Sequence, residues 1–239
     1  MLKNIFYPTT QNVFVWLSSI YLFFLLYSGK ITPMTILFAY FLETIIIGVF
    51  NALKMFWSTK FGKSKDQKSE NFGLIIFFLI HYGLFVGVQS ILAFSLFKFK
   101  ENSFVKEPFH LIENYGTLLS LEDIKYALPA ILFMHFGKFT ADFLGNKKYQ
   151  KMSSLELMAK PYIRIFIQQF VVILASFFMI FSAAGIFAAI FLILFRLFID
   201  LSLEAIKEDS KILDYLSEKL ANDKVTKQEI KKQLLLFTE

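Results

Sequence analysis

Glu43, His81 and His135 are the residues of this chain whose types carry chemistry in places where none is expected. Each stands inside a long apolar run, where an ionisable side chain costs about 2.5 to 3.5 kcal/mol on insertion scales unless it meets a partner or water. At about 1.5 Å of rise per residue, Glu43 lies about 15 Å into its run, His81 about 14 Å and His135 about 15 Å, a depth that one site can share. A carboxylate and two imidazoles suit Zn or Fe, with positions left open for water or substrate. The same three suit a proton relay, or a packed polar core in which Glu43 takes a hydrogen bond from Tyr40 or His81 without turnover. No His-x-x-x-His spacing marks a metal, so the cofactor stays open, a divalent ion being one choice.

Other charged residues surround this set in sequence. His135, Lys138 and Asp142 are three and four residues apart and share one helix face, on which Lys138 and Asp142 are placed to pair. Arg196 and Asp200 repeat that spacing, and Arg164 has Gln168 one turn above it. Lys54, Lys138, Arg164 and Arg196 against Asp142 and Asp200 leave a positive surplus in the inner half. A cavity so lined favours an anion or a lipid phosphate. The competing reading is that Lys54 and Arg164 snorkel to headgroups. Asn51, three residues after Gly48, and the pair Gly83 and Gly87 read as helix-packing devices.

The elements that must hold these residues are apolar helices. The chain has 239 residues, 56% of them hydrophobic, with 32 Phe, and a mean hydropathy of +0.56, more than a water-facing surface tolerates. Asn12–Ser28, Thr32–Trp57, Phe72–Phe97 and Lys125–Leu144 each match the 17 to 25 or so residues that cross hydrocarbon. Thr32-Pro33 reads as a cap followed by Pro at the first helical position, and Ser120 to Asp123 as a capping box. Ser154–Lys160 reads as an amphipathic piece before Pro161 opens a fifth span. Ser182 to Gly185 then turns it into a sixth span that ends near Leu203.

With six spans, sixteen of the loop and terminal cations fall on one side and four on the other. This places both termini in the cytoplasm. The fold class is therefore all-α, a polytopic transmembrane bundle at 1–204 with a cytosolic helical tail at 205–239. The bilayer is its partner, and the formal charge of +6 reports topology with no nucleic acid implied.

With no Cys, disulfides, thiolate metal sites and Cys nucleophiles are excluded. Gly-x-Ser-x-Gly, phosphate-loop and dinucleotide motifs are absent. In the tail, Ile212, Leu213, Leu216 and Leu220 line one helix face and Ile230, Leu234 and Phe237 another, with Thr226 to Glu229 as a capping box between them. The segment Leu216–Leu234 is similar to a short C-terminal helical hairpin found on prokaryotic membrane proteins, and the similarity implies homo-oligomerisation.

The stretch from Glu43 through Gly48 and Asn51 to Met55, the run His81-Tyr82-Gly83-Leu84-Phe85, and Pro161-Tyr162-Ile163-Arg164 together resemble an uncharacterised family of prokaryotic multi-span membrane proteins, a domain of unknown function. The family pattern places further His eight residues after the first of His-Tyr-Gly and four after the Arg of Pro-Tyr-x-Arg. Here those positions hold Gln89 and Gln168, which weighs against a His-rich metal site, and the resemblance implies no activity. Three readings stay open: a mid-membrane polar site acting on a lipid-soluble or anionic ligand with Lys138, Arg164 or Arg196 as its anion contact, a proton-coupled solute transporter, or a membrane anchor without catalysis.

Overall fold

The computed structural model describes residues 6–9, 12–63, 72–98, 105–181, 185–206, 210–222 and 225–236, apart from the side chains of 163–164, 168, 171–172, 175–181 and 236. These residues form α1 (Val13–Tyr27), α2 (Pro33–Phe61), α3 (Phe72–Lys98), α4 (Leu111–Ser120), α5 (Glu122–Gly137), α6 (Ser154–Phe181), α7 (Gly185–Ala205), α8 (Lys211–Leu220) and α9 (Lys227–Leu236). A π-helical segment, Lys138–Leu144, prolongs α5. Among the described residues the sole β feature is an isolated bridge between Asn222 and Val225. Helices α2, α3 and α7 are long and apolar enough to cross a membrane.

Thr32 and Pro33 start α2 as their order predicts. The Thr32 hydroxyl accepts from the Thr35 N–H, the Thr35 hydroxyl accepts from the Thr32 N–H, both at 3.3 Å, and Pro33 sits in the first turn where its missing N–H costs nothing. Asp123 adds a carboxylate at this positive helix end, accepting from the Thr35 hydroxyl at 3.0 Å and the Thr32 N–H at 3.2 Å. That use corrects the expected capping box: α5 begins with no side-chain cap, and the Ser120 hydroxyl instead donates to the Thr117 carbonyl at 2.7 Å.

Helix α2 is buried without interruption from Thr35 to Thr44, the pattern of a helix enclosed on all sides. Ring contacts give the directions of its neighbours. Phe38 meets Phe97 and Phe41 meets Phe94 at one end of α3, while Phe56 meets Phe72 at the other, so α2 and α3 are antiparallel. Asp123 lies beside Thr35 and Trp57 beside Phe139, so α5 with its π extension runs parallel to α2. Helix α1 opposes α5, with Lys30 over the Tyr126 ring at one end and Phe14 against Phe133 at the other.

Helix α6 is antiparallel to α2 and joined to it by a polar ladder. Ser58 donates to the Met152 carbonyl, Ser154 donates to the Met55 carbonyl at 3.1 Å, and Asn51 donates to the Leu157 carbonyl at 3.1 Å. The last bond explains a departure from expectation, because Pro161 does not open a helix but lies inside α6. Proline leaves the carbonyl four residues back without its helical donor. That carbonyl belongs to Leu157, and the Asn51 amide replaces the lost N–H. Asn51 thus packs helices, as predicted.

The tail forms the expected hairpin. Ser210 caps α8 by accepting from the Leu213 N–H at 3.1 Å. Thr226 and Glu229 exchange bonds as a capping box at the start of α9. Lys227 reaches Glu218 and Lys231 reaches Asp214 between the two helices, and α9 rests against α6. The predicted Ser182–Ala184 turn and Phe237 lie outside the described residues.

Candidate functional site

Glu43 on α2 is fully buried, and its Oε1 is the meeting point of two other helices. Nε2 of His135, from the last turn of α5, lies 2.7 Å away, and the Arg196 guanidinium of α7 donates to the same oxygen. Arg196 also lies 3.7 Å from Asp200 through Nε, stands over the Tyr40 ring at 4.6 Å, and touches Met134 Sδ at 3.6 Å. The His135 ring stacks on Phe50 with centroids 6.0 Å apart. Lys138, one turn beyond His135 at the start of the π segment, and Glu204, two turns beyond Arg196 on α7, approach to 3.7 Å, both almost wholly buried.

Elementary spacing builds this ladder. Arg196, Asp200 and Glu204 recur every four residues on one face of α7, and His135 and Lys138 three apart on α5. Lys138 opens the π segment, and such wider turns recur where a helix must re-aim functional side chains. Among the described residues, three carboxylates (Glu43, Asp200, Glu204) thus meet Lys138, Arg196 and one imidazole.

The expected trio is not assembled. Tyr82, one position on from His81, is the residue that turns toward α2: its hydroxyl donates to the Thr44 carbonyl at 2.6 Å, and its ring fills the space over Gly48. Successive helical residues point about 100° apart. His81 therefore points away from α2, is exposed, and meets the Tyr162 hydroxyl of α6 at 2.7 Å and the Phe77 ring. Glu43 and His135 are thus brought together while His81 meets Tyr162, and among the described residues no three of His, Asp and Glu are gathered to hold a metal.

The remaining candidates divide. Of the four cations expected in the inner half, Arg196 is met by Glu43 as well as Asp200, and Lys138 by Glu204. Asp142 accepts from Lys148 at 2.5 Å and from Asn146 at 3.0 Å. Lys54 lies over the Phe143 ring. Gln89 is buried between helices. Gly83 and Gly87 do not serve close helix contact, because a Cβ added at Gly83 would meet nothing within 4 Å and one at Gly87 only Leu111 at 3.9 Å. The side chains of Arg164 and Gln168 lie outside those described. Sequence reasoning missed Glu204, whose four-residue spacing from Asp200 was the available signal, and Tyr162, which sits inside a quoted motif.

The three sequence stretches that carried the family resemblance meet at one junction. Tyr162 contacts the rings of Phe78, Tyr82 and Phe85 and bonds His81, Tyr82 covers Gly48, and Asn51 reaches Leu157 just ahead of Pro161. No curated protein and no solved structure matches the chain. A family model described as "Family of unknown function (DUF6498)" matches residues 1–228, so the chain belongs to that family.

Proposed function

We propose that this is a multi-pass membrane protein whose functional centre is the Glu43–His135 acid/base couple, serving a lipid-soluble weak acid. Six helices of alternating direction support the topology, with α5 and its π extension spanning about 33 Å over 23 residues. Helix α1 is apolar but shorter, and thinning of the bilayer around it accommodates the mismatch. The cation asymmetry places both termini in the cytoplasm of a cell-membrane protein, with 1–204 in the bilayer and 205–239 as a tail that associates with a second copy.

The observation that carries the chemical reading is that His135 and Arg196 share Oε1 of Glu43. A neutral acid enters the core from lipid without the cost of a charge. Its proton passes to Glu43 with His135 as the adjoining base, and the acid is left as its anion. Protonated Glu43 holds Arg196 less strongly, so the guanidinium is released to the anion and the total charge of the core is unchanged.

Binding of a fluorescent long-chain fatty acid to protein in nanodiscs tests this. Saturable binding is expected for the acid but not for its methyl ester, weakened by tenfold or so in Arg196→Met. Equal binding of acid and ester would overturn the assignment. Topology has its own test, because the chain is free of Cys. Single Cys at Lys30 or Lys106 should react with an impermeant maleimide in intact cells, and Cys at Lys60 or Lys148 only after permeabilisation.

A further inference from the structure

Gln89 on α3 and Gln169 on α6 are 7% and 6% exposed. Among the described residues Gln89 Oε1 and Gln169 Nε2 are buried with no hydrogen-bond partner, although native interiors satisfy almost every such group. Their positions are related. Both α3 and α6 run antiparallel to α2, hence parallel to each other, and the Tyr82 and Tyr162 rings lie 6.0 Å apart across their seam. Gln89 and Gln169 each stand seven residues further on, nearly two turns, and so occupy the same face at the same level. An unfilled acceptor and an unfilled donor thus share one seam.

The seam opens sideways. His81, about 12 Å back along α3 at 1.5 Å per residue, is exposed and, among the described residues, meets Tyr162 and Phe77. Beside it the outer face of α3 carries Gly83 with nothing above it and the exposed apolar residues Leu84 and Val88. In the membrane reading given above, that flank faces acyl chains.

We infer that Gln89 and Gln169 hold the hydroxyl of a neutral, lipid-soluble alcohol that enters between α3 and α6 from the bilayer. One acceptor and one donor match one O–H group. A buried water makes about three hydrogen bonds on average, with a range of two to four, so these two amide atoms meet only its lower limit. Two neutral amides suit a neutral hydroxyl better than a charged headgroup, which is costly in an apolar interior without an opposite charge. The inference rests on the membrane reading but not on the Glu43 couple.

Photoaffinity labelling in nanodiscs with a diazirine-bearing long-chain alcohol, beside the same chain lacking the hydroxyl, tests it. The alcohol should label peptides of α3 and α6 saturably, with labelling about fivefold lower in Gln89→Leu/Gln169→Leu and unchanged in Glu43→Gln. The hydrocarbon probe should label wild type and variant alike without saturation. Equal alcohol labelling of wild type and double variant overturns the site, and absence of labelling by both probes overturns the membrane reading with it. Without ligand the double variant should melt no lower than wild type, since two orphaned polar groups are removed. A clear fall in Tm would mean that the amides are already satisfied, and would equally sink the proposal.

Discussion

Asn51 on α2 donates its side-chain amide to the Leu157 carbonyl on α6 at 3.1 Å, the carbonyl that Pro161 cannot serve. Asn51→Leu should therefore cost about 1 to 3 kcal/mol, the range for a buried acceptor left unsatisfied. In a Pro161→Ala background the loss should shrink, because residue 161 then supplies the helical N–H. Thermal unfolding of the four proteins in detergent reads the coupling, and identical losses in both backgrounds would refute it.

Removal of Arg196 should be worse than removal of the Glu43 charge. Arg196→Met leaves Glu43 and Asp200 buried without their shared cation, whereas Glu43→Gln leaves Arg196 still beside Asp200. Breaking such a buried pair costs about 3 to 5 kcal/mol when a charge is left uncompensated. The order of the two melting temperatures checks this, and a reversal would show that Arg196, once Glu43 is neutralised, is the group that Asp200 alone cannot compensate.

Gly48 is demanded by its neighbour. A Cβ there would lie 2.3 Å from Tyr82 Cε1, so Gly48→Ala should destabilise by about 1 to 3 kcal/mol through overpacking. Tyr82→Leu should recover part of that loss by vacating the ring's space, while Tyr82→Phe, which keeps the ring, should not. Recovery by Phe would assign the effect to the hydroxyl instead.

Acid should loosen the tail. Hydrogen bonds from the Thr226 backbone and hydroxyl hold the Glu229 carboxyl below its ordinary value of 4.5. A carboxylate depressed in the folded chain stabilises above its unfolded pKa, and that contribution is lost as pH falls through the folded value. The protection of the Thr226 amide, its exchange rate in the full chain relative to that of an unstructured peptide at the same pH, should be high near neutral pH and fall in acid, and Glu229→Gln should remove the step. An acid step of equal size in that variant would place the titration elsewhere.

The long apolar helices were legible because apolar run length is a local property, and the cap at Thr32-Pro33 because caps act over three residues. Depth along a run was legible too, which is how Glu43 and His135 were paired. Rotation was not. Whether His81 or Tyr82 faces α2 depends on which side chain the neighbouring helix admits, and Gly48, thirty-odd residues away, decides it. Likewise the charge ladder drew Glu204 from the end of an apolar run, where a carboxylate reads as an interfacial residue. Pro161 misled because Pro commonly opens helices, and its tolerance inside α6 depends on a donor from another helix.

The partners of Glu43 are far away in synthesis order. His135 follows it by 92 residues and Arg196 by 153, and at roughly 5 to 20 residues per second the guanidinium emerges on the order of ten seconds after the carboxylate. His135 is made before Arg196, so the imidazole is the first of these two partners that Glu43 can meet, and the three helices that converge on its Oε1 are all present only once α7 has been made.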